Sequence, residues 1–405
     1  MGKKWDSTGI AYNPDLWREC LRVLKPGGHL LSFGGTRTWH RIAVAIEDAG
    51  FEVRDSIAWM YGSGFPKSLD ISKAIDKAAG AEREVIGEKV SPDGIPYASR
   101  RINGSGPSVG GNAYGEFGNG GNLNTAPATP EAQQWEGWGT ALKPAFEPII
   151  VARKPLIGTV ADNVLTYGTG GLNIDASRVG TEKRKNNIND FSNQHGNKFG
   201  NGEKIEKLGE SEVTGRWPAN VILDEYTARL LDEQTQHLRA AGNKKDTEQG
   251  KGVEYKSSSY QVSYAGIANR TYNDSGGASR FFYVAKASRR DRNEGLDELE
   301  PQRHSDRQKD DGVGGDNPRN RTNQAKQNFH PTVKPTELMR YLVKLVTPLN
   351  GLVLDPFTGS GSTGKAALLD GFSFLGMEMT EDYIPIIEGR LRHAETQVKE
   401  NEGLF

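Results

Sequence analysis

Leu352-Val353-Leu354-Asp355-Pro356-Phe357-Thr358-Gly359-Ser360-Gly361-Ser362-Thr363-Gly364-Lys365 opens on three apolar residues and then breaks into glycine. The apolar triplet predicts a buried strand ending at Asp355, and the glycines predict a tight turn into a helix from Lys365. Phe372 to Met379 predicts a second strand with Glu378 near its end, and Tyr383 to Arg392 a last helix. A strand, a glycine-rich turn, a helix and a strand ending in an acid form a nucleoside-binding unit. The glycines let backbone approach a ligand, and the acid accepts from ribose hydroxyls. The 23 positions from Asp355 to Glu378 are close to the ~20 that separate turn and acid in dinucleotide folds.

Upstream, Lys334-Pro335 predicts a helix start. Leu338, Met339, Leu342, Val343, Leu345 and Val346 then mark its buried face. Near the N-terminus, Asn13-Pro14 predicts a capped helix carrying Leu16, Trp17, Cys20, Leu21 and Leu24. His29 to Phe33 and Phe51 to Met60 predict strands, with a helix from Trp39 to Ala49 between them. Alternating helices and strands predict an α/β fold with a mainly parallel sheet and ligands at the strand carboxyl ends.

A competing pattern is the phosphate loop, since Gly359, Gly364 and Lys365 have its spacing. Ala366 stands where that loop needs a hydroxyl for Mg²⁺, which argues against nucleotide hydrolysis. Lys365 itself reads as a helix-surface lysine, and Arg37 and Arg41 as a solvated helix face.

The rest of the chain is polar. Of 405 residues, 50 are glycine and only 35% are hydrophobic, so a uniformly packed globule is excluded. The excess lies in residues 90–142, 181–215, 240–277 and 289–328, which read as surface loops. The 51 Lys and Arg nearly balance the 52 Asp and Glu, so no global charge points to nucleic acid or membrane. The single Cys20 excludes an internal disulfide and a multi-cysteine zinc site and fits a reducing compartment; no metal is expected. No apolar run reaches the ~20 residues that span a bilayer.

His330-Pro331-Thr332-Val333-Lys334-Pro335, some twenty residues ahead of Asp355-Pro356-Phe357-Thr358-Gly359-Ser360-Gly361, closely resembles a family signature. It is that of S-adenosylmethionine-dependent DNA amino-methyltransferases, in the permuted group where the catalytic half comes first. Leu24 to Leu31, Ile57 to Lys67 and Glu147 to Lys154 resemble further core segments. Gly215 to Val221 and Ser279 to Lys286 resemble phage and prophage members.

The resemblance implies a Rossmann-like methyltransferase sheet with long polar insertions. It implies S-adenosylmethionine as cofactor, held by His330, Thr332, Lys334, Pro335, Asp355, Phe357, Gly359, Ser360, Gly361 and Glu378. It implies double-stranded DNA as partner, without a membrane, in the cytoplasm of a bacterial or phage-infected cell, as in restriction-modification. Trp59 and Phe65 are implied to face a flipped base; Arg216, Trp217, Arg280 and Arg289 to Arg292 are candidates for DNA contact. The implied division is a catalytic half at 1–66, an insertion at 67–142, a core strand at 143–158, a variable target-recognition region at 159–328, and a cofactor half at 329–405.

One motif is absent. The family holds the target amine with a polar residue, two prolines and an aromatic at the end of a central strand, and this sequence contains no Pro-Pro. In the family pattern that motif precedes Met1, so either the reading frame begins late or the chain is a truncated relative. The expectation is a sheet missing a central strand between those ending at Phe33 and Asp355. Methyl transfer to an exocyclic amine is the implied activity, adenine N6 favoured over cytosine N4. A non-catalytic DNA- or cofactor-binding remnant or subunit is the alternative, and a P-loop nucleotidase a weaker one.

Overall fold

The computed structural model describes residues 8–62, 64, 68–90, 123–189, 207–235, 276–285, 289–302 and 326–402. Phe65, a candidate base contact, lies outside them. In chain order the elements are α1 (Pro14–Val23), β1 (His29–Phe33), α2 (Trp39–Asp48), β2 (Glu52–Met60), α3 (Ile71–Ala78), β3 (Val85–Glu88), β4 (Leu123–Thr125), α4 (Pro130–Gln134), β5 (Phe146–Arg153) and α5 (Val160–Tyr167). They continue as β6 (Val179–Asn189), β7 (Lys207–Arg216), β8 (Val221–Asp224), α6 (Glu225–Thr235), β9 (Tyr283–Ala285), α7 (Arg289–Asn293), α8 (Thr336–Val346), β10 (Leu352–Asp355), α9 (Ser362–Leu369), β11 (Ser373–Gly376) and α10 (Ile384–Glu402). Among the described residues no helix is long and apolar enough to cross a membrane.

The fold is α/β around a mixed sheet in the order β1-β5-β2-β8-β9. The expected mainly parallel sheet is found with one reversed strand, β5. β5 enters between β1 and β2 and runs antiparallel to both, while β2, β8 and β9 are parallel. β5 is buried on both faces because its side chains alternate. Ile149 and Val151 join a core with Leu338, Leu342 and Leu345 of α8 and Ala366 of α9. Ile150 and Ala152 join the opposite core with Trp17 and Cys20 of α1 and Ile42, Ala45 and Ile46 of α2. At its N-terminus α1 is held by the Asn13 side chain, which accepts from the Asp15 amide at 2.9 Å.

β10 and β11 pair in parallel and stand apart from the five-stranded sheet. Among the described residues, nothing pairs with the second edge of β1 or of β10. Lys334 reaches toward the ends of both strands. The Lys334 ammonium lies 4.7 Å from the Phe33 ring at the end of β1. The Lys334 carbonyl accepts from Ser362 Oγ, at the start of α9 after the turn that follows β10, at 3.0 Å. Leu352 on β10 is 63% exposed, unusual for a residue in an all-apolar strand core.

Two tracts that read as loops carry structure. Lys207–Arg216 pairs antiparallel with Val179–Asn189 through cross-strand backbone bonds that a polar sequence supports as well as an apolar one. In the 67–142 insertion, buried Asp76 accepts from the amides of Ala128 and Thr129, from Thr129 Oγ1 and from Arg83. One carboxylate thus closes α3 onto the start of α4, which local patterning does not reveal.

Candidate functional site

Asp355 ends β10 and organises the turn after it. Its Oδ1 accepts from the Phe357 amide at 2.9 Å and its Oδ2 from Thr363 Oγ1 at 2.5 Å. Its carbonyl accepts from Thr358 Oγ1 and from the Met377 amide, each at 2.9 Å, which ties the turn to the end of β11. Burial, and then the charge of Glu378, raise the Asp355 carboxyl above its ordinary range, although the bonds from Thr363 and Phe357 pull the other way.

Gly359 and Gly361 have φ of +57° and +73°, a region closed to most side chains. Gly359 is also crowded. A Cβ there lies 2.9 Å from His330 Nε2 and 3.0 Å from Cε1. The Gly359→Ala variant is therefore expected to displace the His330 ring and strain the turn, by about 1–2 kcal/mol from backbone geometry alone. A lowered thermal midpoint, together with at least about tenfold weaker binding of whatever occupies the turn, is the result to check by melting and titration.

Glu378 reaches back to the turn. Its Oε2 accepts from the Gly359 amide at 2.7 Å and its Oε1 from the Thr380 amide at 2.9 Å. Each oxygen keeps a second lone pair for a ligand hydroxyl. His330 stands over the turn, edge-on to Tyr383 at 4.7 Å, and its Nδ1 accepts from the Thr332 amide at 3.3 Å. Thr332 is exposed and Phe357 is 47% exposed, 6.3 Å from the Trp17 ring of α1. Ser360 is buried, its carbonyl accepting from Arg390 at 2.8 Å. The fold thus brings together His330, Asp355, Phe357, Gly359, Ser360, Gly361 and Glu378 of the expected set.

Lys334 and Pro335 sit at one side. Pro335 caps α8, which begins one residue later than expected. The Lys334 amine turns toward the end of the five-stranded sheet, where it meets Glu147 Oε1 at 2.6 Å between the rings of Phe33 and Trp59. Half-buried Trp59 packs 5.5 Å from Tyr61, and its buried indole N–H has no protein acceptor. Glu147 escaped the sequence reading because nothing local distinguishes it from any strand-end acid.

Lys365 departs most from expectation. It is 1% exposed, not on the surface, and its amine holds Asp291 at 2.9 Å and Glu294 at 2.8 Å. An amine bound to two carboxylates is not free to bind phosphate, which removes the P-loop reading. Arg37 and Arg41 are exposed, as expected.

The recognition candidates divide. Trp217 is 65% exposed with the Arg178 guanidinium 5.5 Å from its ring. Arg280 lies over Phe281 at 4.5 Å and donates to the Gly277 carbonyl at 2.6 Å. Arg216 is 5% exposed and binds Glu182 at 2.9 Å and the Arg280 carbonyl at 3.1 Å. Its place is beneath that surface, supporting Phe281, rather than on it.

The sequence model of a DNA methylase family, N6_N4_Mtase, matches residues 7–389. Type II methyltransferase M.ScaI of Streptomyces caespitosus is 41% identical over 68 residues, 17% of this chain and 22% of its own. Type II methyltransferase M.HindIII of Haemophilus influenzae is 28% identical over 158 residues, 38% of this chain and 36% of its own. DNA adenine methyltransferase YhdJ of Escherichia coli is 40% identical over 55 residues, 14% of this chain and 19% of its own. The chain therefore spans well under two thirds of these relatives. The crystal structure of the M1.HpyAVI-SAM complex aligns over 93% of this chain and 81% of its own at 13% identity, with a TM-score of 0.32, too low to carry an argument.

Proposed function

The chain belongs to the DNA methylase family of the N6/N4 type, and from that premise we propose that the turn at Asp355–Ser362 holds S-adenosylmethionine for methylation of an exocyclic amine in double-stranded DNA. The observation that carries this reading is the bond from the Gly359 amide to the Glu378 carboxylate. It sets a strand-end acid and a side-chain-free backbone side by side, which is what a nucleoside requires.

The residues fit the cofactor. Glu378 offers oxygens to ribose hydroxyls, the exposed Phe357 ring offers a face to the adenine, and His330 closes the methionine side. Asp355 and Glu378 supply negative charge beside a cationic ligand. S-adenosylmethionine supplies a methyl made electrophilic by the sulfonium. The task of the chain is to hold a base, extruded from the duplex, in line with that methyl. Trp59 and Phe65 are proposed to stack on the base, and Trp217 and Arg280 to meet the duplex. Adenine is the proposed target, on family resemblance.

Equilibrium binding of labelled S-adenosylmethionine is the test, and no binding at millimolar ligand would sink the reading. The pH dependence of binding is a sharper check. A cation prefers ionised Asp355, so affinity is expected to fall on acidification, beginning above the ordinary Asp value of about 4 because that pKa is raised. Stability moves the other way. A carboxyl whose folded pKa is raised stabilises the fold at low pH and loses that contribution as pH rises through it. The loss of binding is therefore not acid unfolding through this group, and Asp355→Asn should flatten the profile in calorimetric titrations between pH 4 and 8.

A non-catalytic role for this polypeptide is a second reading, favoured by the edges of β1 and β10 that no strand among the described residues pairs.

A further inference from the structure

Beneath the turn lies a cluster of charge that touches no site surface. Lys365 and Arg390 are 1% and 0% exposed, among the largest fully buried side chains of the described residues. Lys365 binds Asp291 and Glu294. Arg390 stands 3.6 Å from the Asp291 carboxylate. Its other nitrogen, Nη1, donates to the Ser360 carbonyl at 2.8 Å and to Ser362 Oγ at 2.9 Å. The Asp291 carboxylate also accepts from the Thr336 amide at 2.8 Å, at the start of α8. The next residue, Arg292, donates to the His330 carbonyl at 2.6 Å and to the Asn328 carbonyl at 3.1 Å. Fully buried Asn328 returns a bond to the Arg292 carbonyl at 2.8 Å.

Segment 291–294 thus grips the glycine turn, the head of α8 and the His330 loop at once. Buried ion pairs are poor stabilisers, because desolvation offsets their attraction and apolar replacements often do as well. What they provide is geometry. The guanidinium of Arg390 links two sides at fixed spacing, with Nη1 on Ser360 and Ser362 either side of Gly361 and Nη2 toward Asp291, a fork that a lysine ammonium does not reproduce.

We propose that Asp291, Arg292 and Arg390 are positioning residues for the cofactor: they set the Gly359–Ser362 backbone and the His330 loop in their ligand-ready arrangement, so that segment 291–294 serves the cofactor site rather than the DNA. For Arg292, a candidate for DNA contact in the sequence, this assigns protein-facing bonds instead. The proposal rests on the reading of the turn as an S-adenosylmethionine site.

The test uses the full chain with Arg390→Lys, Asp291→Asn and Arg292→Gln. Amide exchange without ligand is read first, at 359–362 and at 149–152 in β5. Arg390→Lys and Asp291→Asn are expected to speed exchange at 359–362 at least about tenfold while leaving β5 unchanged, since misplacement is local. They should weaken S-adenosylmethionine binding at least about tenfold. Arg292→Gln should weaken S-adenosylmethionine but not adenosine, because it loosens only the His330 side, and it should leave the salt slope of DNA binding unaltered.

Exchange that rises equally in β5 and the turn, with cofactor affinity kept, would mean a merely structural cluster and overturn the proposal. So would an Arg292→Gln chain that binds cofactor normally but DNA more weakly and with a shallower salt slope. If the unaltered chain binds no S-adenosylmethionine, the functional reading fails, while the ligand-free exchange still decides whether the cluster positions the turn. Should Arg390→Lys not fold, Asp291→Asn and Arg292→Gln decide the matter.

Discussion

The Glu378→Ala chain is expected to lose S-adenosylmethionine binding by about two orders of magnitude while keeping its fold. Hydrogen bonds to a charged acceptor contribute about 1.5–3 kcal/mol each, and a ribose offers two hydroxyls to this carboxylate. Loss of one such bond is about tenfold in affinity and loss of both about a hundredfold or more. The substitution also frees the Gly359 and Thr380 amides, which Glu378 holds at 2.7 and 2.9 Å. Water replaces it there, because Glu378 is only partly buried. The thermal midpoint should therefore move by no more than a few degrees. Calorimetric titration with S-adenosylmethionine and with adenosine measures the effect. A Glu378→Ala chain that binds both as tightly as the parent would remove the acid from the site.

A second large effect concerns turnover. The 405-residue polypeptide is expected to bind S-adenosylmethionine and yet to transfer methyl groups to DNA at background rate. The sequence has no Pro-Pro motif to orient the amine, and β1 and β10 each leave one edge unpaired among the described residues. The ends of those strands meet at Lys334. An extended segment that pairs with both edges is expected to cover Leu352 and to end beside Lys334 and the glycine turn. Fusing a strand that ends in Asp-Pro-Pro-Tyr ahead of Met1 is expected to raise methylation by at least about 10³-fold, the scale of orienting and electrostatic contributions combined. It should also raise the thermal midpoint. Transfer of tritiated methyl to duplex DNA is the assay. Full activity without the added strand, or a fusion that changes neither rate nor melting, would count against this account of the sheet.

Much of the site was legible before any coordinates. The turn, its two positive-φ glycines and the acid after the next strand lie within 27 consecutive positions, 352–378, where backbone conformation and periodicity are local properties. Glycine at positive φ, an apolar triplet and an N-capping Asn each act on near neighbours, so they can be read along the chain. Loop assignments fared less well. Polar sequence says that a segment buries little, but not that it lacks pairing, and the β6–β7 pair is held by backbone bonds indifferent to side-chain polarity.

By itself, then, the sequence determined the strand–turn–helix–strand unit around Asp355 and Glu378, the helices and strands between Pro14 and Met60, and the absence of a Pro-Pro motif. The tertiary structure alone decided that β5 runs backwards between β1 and β2, that His330 closes on Gly359, that Lys334 turns to Glu147, and that Lys365 and Arg390 are buried on Asp291 and Glu294. Those partners lie tens to hundreds of positions apart. A charged side chain looks the same in sequence whether it meets water or a distant carboxylate, and only the fold determines which of the two it meets.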